Sequence, residues 1–101
     1  MKRIEDSSLS VSPITILEMQ YLVDLKKINL DPVKAIEKLN SLIGLEVNKT
    51  PFESVIRESL RLSWTRDPFD RLIVAQASML NAILLTRDRE ILRHYSRAVW
   101  D

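Results

Sequence analysis

The chain has no cysteine and a single histidine, His94. The first absence excludes a disulfide framework and a thiolate metal site. Neither sign of charge is in surplus: fifteen basic residues face fourteen acidic ones, for a formal net charge of +1. No global field therefore announces a nucleic-acid partner, although local clusters of charge remain open. No apolar run approaches the roughly 18 residues of a membrane span, and the opening MKRIEDSS lacks the apolar stretch of a signal peptide. A soluble, cytoplasmic chain is the simplest expectation. There is no internal repeat and no linker-like segment, and 101 residues suit one modest domain with a small core.

What is present reads as alternating helices and short strands. Leu9 to Ser12 alternates apolar and polar residues before Pro13, as a short strand ending in a turn does. From Ile14 to Ile28 the positions Ile14, Leu17, Tyr21, Leu22, Leu25 and Ile28 recur at three- and four-residue steps, which predicts an amphipathic helix capped by Ser12 or Thr15. Asp31-Pro32 starts a second helix, with Val33, Ile36, Leu39, Leu42 and Ile43 on its apolar face and Gly44 at its end. Leu45 to Val47 is a short strand. Thr50-Pro51 opens a third helix reaching about Leu62, with Glu53 completing a capping-box pattern.

The segment RDPFDRLIVAQA, Arg66 to Ala77, follows. Asp67 before Pro68 is a helix-start signal, since the carboxylate accepts from orphan N–H groups and proline suits the first helical position. Asp70 then falls in the first turn of a helix that is apolar almost all round, as expected of one covered on most sides. Asn81 ends it. Ala82 to Leu85 reads as a strand, Asp88 to His94 as a short helix, and Ala98 to Trp100 as a last strand. The whole is an α/β layer fold with a short, mostly parallel sheet flanked by helices.

In such a sheet the ends of strands and the starts of the following helices share one edge, where ligands bind. Glu18, Asp70 and Asp88 can all face that edge. Carboxylates gathered there repel one another unless a hard cation sits among them, and oxygen ligands without His or Cys suit Mg²⁺ or Mn²⁺. The predicted site is a divalent-metal centre of Glu18, Asp70 and Asp88, with Asp67 as an additional acid. A cation there would activate water and polarise a phosphodiester. Arg66, Arg71, Arg87 and Arg89 flank these acids as phosphate-binding candidates, and Ser12 and Thr86 are supporting hydroxyls.

Each residue has a structural alternative. Asp67 and Asp88 can be ordinary helix caps, Asp70 can simply answer the helix dipole, and Glu18 can be one half of an ion pair. His94 suits a helix end better than catalysis, and Trp64 and Tyr21 suit packing better than base stacking.

The run SPITILEMQYL with Glu18, then RDPFDRLIVAQA, then ILLTRDREI and a closing AVW resembles the PIN-domain family, and more closely the ribonuclease toxins of VapBC toxin–antitoxin pairs. The resemblance implies a Mg²⁺- or Mn²⁺-dependent endoribonuclease, usually dimeric and restrained by a protein antitoxin. It matches Glu18, Asp70 and Asp88 to the family's second, third and fourth acids, and Asp67 to a further acid nearer the edge. Family members begin with an apolar strand ending in a metal-binding Asp. That strand is central in their order 3-2-1-4-5, and nothing before Leu9 resembles it. The expectation is a single incomplete PIN-like domain without its central strand, either active on RNA or acting only by binding an antitoxin or a partner subunit. A stable chain of this kind should be an oligomer or a rearranged sheet. A helical DNA-binding module is disfavoured, because the helices carry almost no net charge.

Overall fold

The computed structural model describes residues 9–100. These form two compact units, one ending at Lys49 and the other beginning at Thr50. In the first unit, β1 (Ser10–Val11) leads into α1 (Ile14–Asp24), α2 (Pro32–Ile43) and β2 (Glu46–Val47). β1 and β2 pair in parallel, with the Glu46 N–H donating to the Leu9 carbonyl at 3.1 Å and Asn48 to Val11 at 2.8 Å. A parallel pair needs a long crossover, which α1 and α2 supply.

The helix ends follow local chemistry. Asp31 caps α2, its Oδ1 accepting from the Val33 and Lys34 N–H groups at 3.1 and 3.2 Å. Gly44 closes α2 at φ +72°, a left-handed conformation in which glycine carries no Cβ penalty. The periodicity of α1 runs on to Ile28, yet the helix stops at Asp24. Lys26 turns left-handed there at φ +60°, and the Lys26 and Lys27 N–H groups bond back to Val23 and Leu22. These are the two bonds of a Schellman ending, and they override the remaining apolar repeat. Ser12 serves the start of α1 only weakly, through a 3.4 Å bond from the Ile14 N–H.

α1 and α2 lie against one another, yet much of their apolar stripes stays exposed, including Leu17, Tyr21, Leu25, Val33, Leu42 and Ile43. A two-stranded ribbon is too narrow to cover two helices.

The second unit contains α3 (Phe52–Ser59), α4 (Pro68–Met79), β3 (Leu84–Leu85), α5 (Arg89–His94) and β4 (Ala98–Val99). Its core is built on α4, where Val74, Ala75, Gln76 and Ala77 are buried against Val55 and Ser59 of α3. The alanines let the two backbones approach, and the Ser59 hydroxyl is satisfied by the Ile56 carbonyl at 2.6 Å. The capping box expected at Thr50 and Glu53 is not formed: Glu53 pairs instead with Arg57 one turn on, at 2.6 Å. α3 also ends earlier than its pattern suggests, in tight turns in which Leu60, Arg61 and Leu62 donate three residues back. Asn81, at φ +50°, ends α4 as expected, with the Asn81 and Ala82 N–H groups returning to Ser78 and Ala77.

β3 and β4 pair in parallel across the α5 crossover. The described residues contain two separate parallel pairs, β1–β2 and β3–β4. The expected lack of a central first strand falls on residues 1–8, which lie outside the described residues. Among the described residues no helix is long and apolar enough to cross a membrane.

One hydrogen bond ties the end of α5 to the return before β3: the Tyr95 hydroxyl donates to the Ala82 carbonyl at 2.6 Å. Burial raises the Tyr95 phenol above its usual value of 10.0, with the Arg97 charge opposing. Its folded-state pKa therefore exceeds the unfolded one. The stabilisation is fully present below the ordinary phenol range and fades as pH rises through the raised value. Tyr95→Phe should cost about 1 kcal/mol at neutral pH. Urea midpoints followed with pH should show the wild-type advantage shrinking only under alkaline conditions.

Candidate functional site

The candidate acids of the second unit lie at helix starts. Asp67 precedes α4, and its Oδ1 accepts from the Phe69 N–H at 2.8 Å and the Asp70 N–H at 3.3 Å. It is thus a working cap. Asp70 is half-buried in the first turn, where a negative charge is favoured by the aligned peptide dipoles. The approach is shaped by Thr65, whose hydroxyl accepts from the Asp67 N–H at 3.1 Å and whose carbonyl accepts from Arg71 Nε at 2.7 Å. Arg71 therefore holds the loop before α4 rather than standing out as a surface cation.

Asp88 follows β3 and caps α5, its Oδ1 accepting from the Ile91 N–H at 3.0 Å. The Thr86 hydroxyl accepts from the Asp88 N–H at 3.1 Å, and the Thr86 N–H is bonded to the Val99 carbonyl. Thr86 thus joins the ladder to the turn that presents Asp88. α4 and β3 are joined by the short return 80–83, and in a parallel α/β sheet the starts of helices and the ends of strands share an edge. Glu18 is half-buried in the second turn of α1, in the other unit. Ser12 is at the end of β1, and Arg66 and Arg89 are exposed.

Among the described residues no three histidine, cysteine, aspartate or glutamate side chains are grouped to hold a metal ion. Mg²⁺ does not require such a group, since it is commonly held by one or two carboxylates and completes its shell with water and substrate phosphate. The donor chemistry of Asp70 and Asp88 fits that open arrangement, and fits a closed cage of protein ligands poorly.

Two aromatic contacts lie outside what the sequence suggests. Trp64 and His94 stack with ring centroids 4.6 Å apart and planes 2° from parallel, while His94 Nδ1 lies 2.9 Å from the Glu90 carbonyl oxygen. His94 is thus at a helix end, as its sequence position suggests, but it also packs on an aromatic. The Arg87 guanidinium carbon lies 5.5 Å from the Trp100 ring centroid. The register Leu85↔Val99 brings these two together just past the strand ends. Reading β3 and β4 as paired neighbours and counting outward from them was the signal that would have found this contact.

The family model described as PIN domain matches residues 1–97 of this chain. No curated protein and no solved structure matches it.

Proposed function

From the premise that this chain belongs to the PIN-domain family, whose members are in general nucleases, we propose that it is an endoribonuclease of the toxin–antitoxin kind, dependent on Mg²⁺ or Mn²⁺ and acting in the cytoplasm. The observation that carries the reading is the placement of the RDPFD segment: Asp70 occupies the first turn of α4, and Asp88 stands directly beyond β3 in the same unit. Asp70 and Asp88 would hold the cation, with Glu18 as the third acid matched by resemblance and Asp67 contributing charge at the helix mouth. A bound cation supplies an activated water and polarises the scissile phosphate. The chain's own arginines answer the negative backbone. Arg66, Arg87 and Arg89 are exposed, and Arg87 and Arg89 stand on either side of Asp88. Each can place a planar guanidinium against phosphate oxygens.

A protein antitoxin and a second copy of the chain are the proposed partners. The apolar residues left open on α1 and α2 support a protein partner, because contiguous exposed apolar surface marks interaction sites. A second reading is a binding-only module, supported by the same exposed apolar residues of α1 and α2.

The deciding assay incubates the full chain with single-stranded and structured RNA, in Mg²⁺ or Mn²⁺ and in chelator. Cleavage that appears only with the cation is expected. Cleavage that persists in chelator removes the metal from the reading. No cleavage, together with a stable complex with a co-expressed antitoxin, replaces the first reading with the second.

A further inference from the structure

Trp100 is half exposed just past the end of β4. Its neighbour Arg87 is exposed, has no carboxylate partner among the described residues, and lies over the Trp100 ring. A guanidinium over the ring restrains the indole while leaving much of its surface in water. The pair also stands at the strand-end edge that presents Asp88, since Arg87 is the residue before it.

The charge around the pair selects its occupant. From Thr86 to Trp100 there are four arginines against two acids, Asp88 and Glu90. Asp88 spends one carboxylate oxygen on the helix cap, and Glu90 is paired with Arg93. Arg87, Arg89 and Arg97 are left without an ion pair among the described residues. The cation type is also segregated: all eight basic residues from Thr50 onward are arginines, whereas all six lysines precede Thr50. Arginine's plane both stacks on rings and forks onto phosphate, which an ammonium does not do. An exposed indole bordered by unpaired arginines is the combination that binds single strands, with a base on the ring and the backbone along the cations.

We propose that Trp100 and Arg87 form a stacking platform for an unpaired base of single-stranded RNA, with Arg87 also meeting the adjacent phosphate. The platform rests on the nuclease reading for its place beside the reacting backbone. It makes the substrate a strand with an accessible base next to the cut, and disfavours a continuous duplex, whose bases present no open face.

The test measures binding of the full chain in chelator by fluorescence anisotropy. The probes are a short labelled single-stranded oligoribonucleotide, the same ribose-phosphate chain without bases, and the matching duplex. Wild type should prefer the base-bearing single strand. Trp100→Ala and Trp100→Leu should each weaken that binding by about ten- to a hundredfold and leave the base-free chain unaffected, while Trp100→Phe retains most of it. Arg87→Ala should weaken both single strands and lower the salt slope by about one. Trp64 remains in every Trp100 variant, so its fluorescence reports that the unit is still folded. Equal binding of the single strand by wild type, Trp100→Ala and Trp100→Leu overturns the platform, as does equal affinity of wild type for the base-bearing and base-free chains. If Mg²⁺-dependent cleavage is intact while Trp100 is neutral, the platform falls and the nuclease reading stands. Base-dependent binding without cleavage reverses that outcome, and no binding to any probe overturns the platform and leaves the nuclease reading to the cleavage assay.

Discussion

Asp70→Asn should leave a folded chain whose RNA cleavage is reduced by about a hundredfold or more. The substitution keeps the shape of the side chain and removes its charge. Its structural cost includes the loss of a favourable dipole interaction in the first turn of α4, about 0.3–1 kcal/mol. A small domain tolerates that. The catalytic cost is larger, because a cation contributes several kcal/mol of charge stabilisation in the transition state and each 1.36 kcal/mol is tenfold in rate. The companion substitutions separate chemistry from capping. Asp88→Asn keeps an Oδ1 that can accept from the Ile91 N–H, so the α5 cap survives while the charge is gone. Asp88→Ala loses both, at about 1 kcal/mol of stability. A cation ligand at this position predicts that Asp88→Asn and Asp88→Ala are both deficient in cleavage. An Asp88 that only caps predicts normal cleavage by Asp88→Asn and a lowered melting point for Asp88→Ala. Asp67→Asn preserves the two bonds to Phe69 and Asp70 and should stay within roughly a few-fold of wild type, since capping is its visible work. Unchanged cleavage in Asp70→Asn, measured with Mg²⁺ on the same RNA, defeats the assignment.

The parts of this fold that were legible in the sequence are those written in local chemistry. Asp31-Pro32, Asp67-Pro68 and Gly44 each bound a helix through bonds within a few residues of themselves, and the structure places the helix ends at those residues. Apolar periodicity was less reliable. It carried α1 past its true end, where a left-handed Lys26 and its two return bonds close the helix before the next apolar residue, Ile28. It also implied buried stripes on α1 and α2, but burial depends on the area of sheet available to cover them, and β1–β2 offers two strands. The site follows the same division. That Asp67, Asp70 and Asp88 stand at helix starts was readable from spacing. Which arginines are free for phosphate was not. Arg71 meets the Thr65 carbonyl and Arg66 stays exposed, and the contact runs across a turn that no pattern announces. Trp100 was legible only as the end of a strand. Its pairing with Arg87 depends on the parallel register of β3 and β4, a long-range fact.

Ile91→Ala should destabilise the second unit by about 3 kcal/mol, within the range of about 2–5 kcal/mol for truncating a buried isoleucine. Ile91 is 3% exposed, and with Val55, Val74, Ala75 and Ala77 it makes up the buried apolar set among the described residues. Two of those five are alanines, so most of the apolar volume belongs to three side chains, and removing three carbons from one of them leaves a void that rigid helices close poorly. Phe52→Ala supplies the contrast, because Phe52 is 69% exposed and its loss should fall within about 0.5 kcal/mol despite the larger side chain removed. Urea denaturation of both variants measures the difference directly. α5 carries Asp88 at its start and forms the crossover between β3 and β4, so a loosened Ile91 should also reduce cleavage. That deficit should recover on cooling toward the temperature of maximum stability, whereas the deficit of Asp70→Asn should not. An Ile91→Ala loss below about 1 kcal/mol would mean that the α5 crossover is held mainly by its hydrogen bonds, Asp88 to Ile91 and Tyr95 to Ala82, rather than by packing. In that case Tyr95→Phe would become the more damaging of the two substitutions.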